Sequence, residues 1–163
     1  MATEEDIPAS DAMDAREWAL VQCFDEEGRP LMVRVKQYEE AFVRADYPHR
    51  VHVFWPVSDD AENGLPTPSD VEAMNRFENH LCAAVEPDGQ STLAVVVTGA
   101  GEREWVLQSR DPKVFLERIS GMPHEGGSYP IELAHELDED WAVVDAYRPE
   151  DDADGAPSGV TIH

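Results

Sequence analysis

Basic residues are scarce in this chain of 163 residues. There are two lysines, Lys36 and Lys113, and ten arginines, against 35 acidic residues, for a net charge of −23. Binding to nucleic-acid phosphates needs Lys/Arg patches, so that class of function is disfavoured. Anionic membrane surfaces are disfavoured for the same reason. No apolar run approaches membrane-spanning length. The start, Met1-Ala2-Thr3-Glu4-Glu5-Asp6, lacks the basic region and apolar run of a signal peptide, which makes the cytoplasm the default expectation. Cysteine is limited to Cys23 and Cys82, with no CxxC, so neither a zinc ribbon nor a thioredoxin-type motif is written here. Each Cys has apolar neighbours and reads as a small buried hydrophobe.

The composition that remains is ordinary for a globular domain: 42% hydrophobic and 8% aromatic. A chain of this length favours one domain and can bury a core without metal or disulfide support. Residues 1–15 are small and acidic and read as a disordered leader. Residues 150–163, opening with Glu150-Asp151-Asp152-Ala153-Asp154, read as a flexible acidic tail. The expected domain is 16–149. The acidity has two readings, a solvated surface that keeps monomers apart or salt-adapts the chain, and a field that attracts a basic partner.

Trp18 to Phe24 is rich in strand formers, and a polar loop with Gly28 follows. Leu31, Val33 and Val35 then alternate with Met32, Arg34 and Lys36, the period of a half-buried strand. Residues 38–47 fit either a strand extension or a short helical turn, ended by Pro48. Arg50 to Val57 is a third strand. A loop of turn formers runs from Ser58 to Pro66. Thr67-Pro68-Ser69-Asp70 opens a helix, with Thr67 as cap, Pro68 at the first position and Asp70 at the positive end of the dipole. Val71, Met74, Phe77, Glu78, Leu81, Cys82 and Val85 form one helical stripe, apolar except for Glu78.

Leu93 to Val97 is apolar without interruption and predicts a central, covered strand. Gly99-Ala100-Gly101 turns into a partner strand, Arg103 to Gln108, with Trp105 and Leu107 on one face. Asp111-Pro112 opens a second helix with a stripe of Val114, Phe115, Ile119 and Met122, and a Gly126-Gly127 loop follows. Tyr129 to Leu137 alternates as a last strand. Trp141, Val143, Val144 and Tyr147 close the domain as a strand continuation or a helical turn. The order β-β-β-α-β-β-α-β is an α+β fold: a ferredoxin-like βαββαβ sandwich with an extra N-terminal hairpin, two helices covering one face of an antiparallel sheet.

Catalytic patterns are absent. Gly99-Ala100-Gly101 lacks the Lys-Ser/Thr of a phosphate loop, and there is no GxSxG elbow. The histidines are His49, His52, His80, His124, His135 and His163, and no spacing among them matches a zinc site. His49 and His52 are too close to face one way on a strand. The four tryptophans read as core or rim rather than as stacking platforms for bases. No cofactor is expected.

Trp18 before Gly28-Arg29-Pro30, then Arg50-Val51-His52-Val53, Glu78-Asn79-His80-Leu81, Gly101-Glu102-Arg103-Glu104-Trp105 and Asp138-Glu139-Asp140-Trp141 running to Tyr147-Arg148-Pro149 follow one another in a recognisable order. In this order they resemble the bacterial family catalogued as domain of unknown function 695, over about residues 16–149. Asn79 departs from it, where an acidic residue is expected after the Glu. That family looks related to the inhibitors of ribonuclease E (regulator of ribonuclease activity B). The resemblance carries no catalytic residue or cofactor. It implies a small acidic protein that binds an enzyme and modulates it.

Two expectations follow. The first is a protein-binding module, a regulator or inhibitor of a basic enzyme such as a nuclease, monomeric or homodimeric, with Glu136, Asp138, Glu139, Asp140 and Asp145 as the partner-binding patch. The second is a small enzyme or ligand-binding domain, with a pocket between the open sheet face and the loop 58–66 that holds His52, Arg103 and His135.

Overall fold

The computed structural model describes residues 18–39, 41–57, 64–122 and 129–147. The expected leader and tail, His124 and His163, the Gly126-Gly127 loop and most of the loop 58–66 lie outside the described residues. In chain order the elements are β1 (Trp18–Phe24), β2 (Pro30–Lys36), β3 (His49–Pro56), α1 (Pro68–Val85), β4 (Ser91–Gly99), β5 (Glu102–Ser109), α2 (Pro112–Ser120), β6 (Glu132–Leu137) and α3 (Ala142–Tyr147). Short 3-10 turns occupy Arg44–Asp46 and Pro87–Gly89. The segment 38–47 is therefore no strand extension, and the closing segment is helical.

All strand pairs are antiparallel, and the six form one sheet in the order β1-β2-β4-β5-β3-β6. The class is α+β, as the order of periodicities predicts. The two helical connections, β3-α1-β4 and β5-α2-β6, each span one intervening strand. The hairpin β1–β2 extends the sheet beyond β4. At the far edge, among the described residues, β6 pairs with β3 alone, and all six of its residues are exposed.

β4 is buried at every position, which explains its unbroken apolar run. A bulge between Leu93 and Val95 shifts its register against β5, so strict alternation fails there. At its end Gly99 has φ +140, and a Cβ would stand 2.6 Å from the Pro30 carbonyl oxygen. Only glycine fits that approach. Gly28, at φ +84, supplies the left-handed position of the first hairpin loop.

α1 starts on a complete capping box. The Asp70 amide donates to Thr67 Oγ1 at 3.1 Å, and the Thr67 amide donates to Asp70 Oδ2 at 3.0 Å. The Lys113 amide donates to Asp111 Oδ1 at 2.8 Å, capping α2. α1 and α2 lie on one face. There Met74, Phe77, Leu81, Val85, Phe115 and Ile119 pack on Val51, Val53, Leu93, Val96, Trp105 and Leu107. Each such large side chain contributes about 1.5–3 kcal/mol by leaving water.

The other face is half covered. Trp141 and Val144 pack on Val33, Val35, Val95, Val97 and Val106, with Tyr38 and Phe42 from the 38–47 segment beside them. The Trp141 indole holds that segment by donating to the carbonyls of Tyr47 at 3.0 Å and Arg44 at 3.1 Å. Toward the ends of β5, β3 and β6 this face carries mostly polar side chains around Phe54.

Candidate functional site

Antiparallel partners place their side chains on the same face of a sheet. The register Glu104–Phe54–Glu132 therefore sets two carboxylates on either side of one aromatic ring, across β5, β3 and β6. Glu102 adjoins them on β5, opposite Pro56. Its carboxyl is pushed above the usual value by burial, then by the charges of Glu104 and Glu132. Three carboxylates thus crowd one strip of the face.

Deeper on the same strip, Arg50 fans out to three partners. Its Nε donates to His52 Nε2 at 2.7 Å, Nη1 to Asp138 Oδ2 at 2.6 Å and Nη2 to Glu136 Oε1 at 2.7 Å. Because His52 Nε2 accepts, its ring proton belongs on Nδ1, which hydrogen-bonds to Glu104. The His52 ring stacks on Phe54, with centroids 5.8 Å apart and planes 4° from parallel. Both ring nitrogens are thereby engaged, so the imidazole offers no free nitrogen as a general base.

The sequence-predicted pocket does not assemble. His52 lies on the open face. Arg103 lies on the opposite face, where its Nε donates to Thr98 Oγ1 at 2.9 Å and its Nη1 to Asn75 Oδ1 at 3.0 Å. His135 pairs with Val51 and also faces the helix-covered side, with Nε2 3.1 Å from His49 Nδ1 at the edge. Sheet register separates the three, and no single-strand pattern carries register.

Of the five acidic residues expected to form a partner patch, three meet arginines of this chain. Glu136 and Asp138 hold Arg50, and Asp145 accepts from Arg44 at 2.7 Å. Asp138 is buried, and its Oδ1 accepts from the Ala142 amide at 2.9 Å, so it supports the start of α3. Glu139 and Asp140 are exposed in the turn before α3. Sequence reasoning missed Glu102, Glu104, Glu132 and Phe54. In a chain so rich in acid, only the register singles them out.

The thiols are poor nucleophiles. Burial pushes Cys23 above its ordinary value and pushes Cys82 up strongly, Glu86 and Glu78 adding to the latter. Burial, with Glu104 and Cys23 adding, raises Tyr147 to about 12. Among the described residues there is no group of three or more His, Cys, Asp and Glu side chains that could hold a metal ion. No described helix is long and apolar enough to cross a membrane.

A second feature lies on the helix-covered face. The β1–β2 hairpin carries the sheet past α1 and leaves a groove of about 590 Å³, which reaches Leu65 and Pro66. Its polar groups are Arg34, Arg103, Glu78, Asn75, Asn79 and Thr98. A pocket bounded by the end of the 58–66 loop thus exists, on the face opposite the expected one.

A protein family described as a family of unknown function (DUF695) matches residues 17–147. No curated protein and no solved structure matches the chain.

Proposed function

Because the chain belongs to the DUF695 family, whose function is unknown, no activity comes with its membership, and we propose from the geometry that it is a protein-binding module for a basic partner. The observation that carries this reading is the Glu104–Phe54–Glu132 row beside Glu102, on the face next to the open edge strand β6. An aromatic ring flanked by carboxylates suits a lysine or arginine side chain, with Glu132 and Glu102 supplying charge beside Glu104, whose carboxylate also holds His52. The outer edge of β6, which no other described strand covers, can take an extended partner segment by strand addition. Glu139 and Asp140 add to the field that steers a cationic surface inward. A basic enzyme such as a nuclease fits these demands, and the protein then acts on it as a regulator or inhibitor.

The test is affinity purification from the native host with the wild-type chain and with a Glu104→Lys/Glu132→Lys variant, over a salt series. The expected result is a strongly basic protein retained by the wild type at low salt, released by salt and lost from the variant. Equal retention by both chains, or no basic protein retained, overturns the reading.

A further inference from the structure

The groove beside α1 combines features that the protein-binding reading does not use. Its walls are apolar, with Leu20 and Met32 from the hairpin, Val71 from α1 and Leu65 and Pro66 from the preceding loop. Leu20 and Met32 are 66% and 49% exposed, large for apolar side chains on a folded surface. Two guanidinium groups line the same groove.

Arg34 Nη2 donates to Glu78 Oε1 at 2.7 Å, and the same oxygen accepts from Trp105 Nε1 at 2.9 Å. Arg34 Nη1 is buried without a hydrogen-bond partner, and the Trp18 ring lies 5.2 Å from the guanidinium carbon. Arg103 is 9% exposed. Its hydrogen bonds go to the neutral oxygens of Thr98 and Asn75, and among the described residues it has no ion-pair partner. Among the described residues two cations therefore share one carboxylate, Glu78, at the base of the groove. Burial presses Arg103 toward losing its proton, Glu78 opposes this and Arg34 adds to it.

A buried cation without a counter-ion costs several kcal/mol, and folded proteins rarely keep one unless something offsets it. In a chain of net charge −23 this local excess of positive charge runs against the whole composition. A lone surface arginine would be unremarkable, but two half-paired ones under an apolar cleft combine the donors and the apolar walls that a small-molecule site uses.

We propose that this groove binds a small carboxylate with an aliphatic body, the carboxylate set between Arg34 and Arg103 and the chain against Leu20, Met32 and Val71. The site is independent of the acidic face, so failure of either reading leaves the other standing. The carboxylate completes the charge balance that Glu78 supplies only in part, and bidentate acceptance suits a guanidinium fork. The apolar walls supply the remaining affinity and select against small inorganic anions.

The experiment is NMR titration of the full chain, labelled at methionine methyls and tryptophan indoles, with octanoate, octylammonium and inorganic phosphate in parallel. Octanoate is expected to shift the Met32 methyl and the Trp105 indole saturably, and octylammonium to leave both in place. Arg103→Gln should weaken octanoate binding about tenfold or more, the worth of one charge-assisted contact. Should that variant fold poorly, Met32→Glu at its half-exposed position tests the same site by repelling the anion. Equal shifts from octanoate and octylammonium, no saturable shift, or undiminished binding by Met32→Glu overturns the proposal. Phosphate binding as tight as octanoate overturns the assignment of a carboxylate with an apolar body.

Discussion

Arg50 on β3 donates through Nη1 to Asp138 Oδ2 at 2.6 Å, and so ties the sheet to the turn that opens α3. Asp138 returns the support by accepting from the Ala142 amide. Burial alone would raise this carboxyl. The Ala142 amide and Arg50 together hold it below the ordinary carboxylate value. A carboxyl with a lowered native titration point adds stability above its unfolded value of about 3.9, and loses it as pH falls through the native one. Asp138→Asn should therefore cost about 2–3 kcal/mol at pH 7. The gap to wild type should narrow below about pH 4. Urea unfolding at several pH values checks both.

Glu78 is 5% exposed and accepts from Arg34 and Trp105. Glu78→Gln keeps an acceptor for the indole but leaves two buried guanidinium groups uncompensated. The expected loss is about 3 kcal/mol, read from tryptophan fluorescence during denaturation. Saturating octanoate should restore part of that loss if the groove holds a carboxylate.

Glu102 works in the opposite direction. Its raised titration point means that ionisation opposes folding, and the penalty is complete above the native value and absent below the unfolded one. Glu102→Gln should stabilise the protein at pH 7 by a few tenths of a kcal/mol, allowing for solvent screening, and leave it unchanged near pH 3. Thermal unfolding at the two pH values decides this.

Trp141 is fully buried, with φ +59, and donates to two carbonyls of the 38–47 segment. Trp141→Phe retains most of the ring and removes the donor. A cost of about 2 kcal/mol is expected. Amide exchange across Phe42 to Tyr47 should accelerate more than exchange in β4, which a general loss of packing would not produce.

Thr67→Ala breaks the capping box of α1 and should cost about 1 kcal/mol, with the helix otherwise intact by circular dichroism.

Local chemistry was legible in the sequence. Thr67, Pro68 and Asp70 announced a helix start, and the apolar run at Leu93 announced a central strand, because each signal lies within a few residues of its effect. Glu78 stood out as the one charge in an apolar stripe. Its partner Arg34 lies 44 residues away on a strand whose neighbour is set by topology, so the pair was hidden. The predicted pocket of His52, Arg103 and His135 failed for a related reason. Each residue sat on a correctly read strand, but which face it shares with the others depends on the register of β3 against β5 and β6. The acidic patch was read by density along the chain, and density does not reveal which carboxylates already hold an arginine.

Among the described residues β6 ends the sheet with no strand on its outer side, and it carries Glu132 and Glu136. Two copies that met edge to edge would bring like charges together, and without a complementary cation the join is repulsive. On the proposed basic-partner reading, the edge carries a charge requirement: a strand that brings positive charge would be favoured over a second copy of this chain.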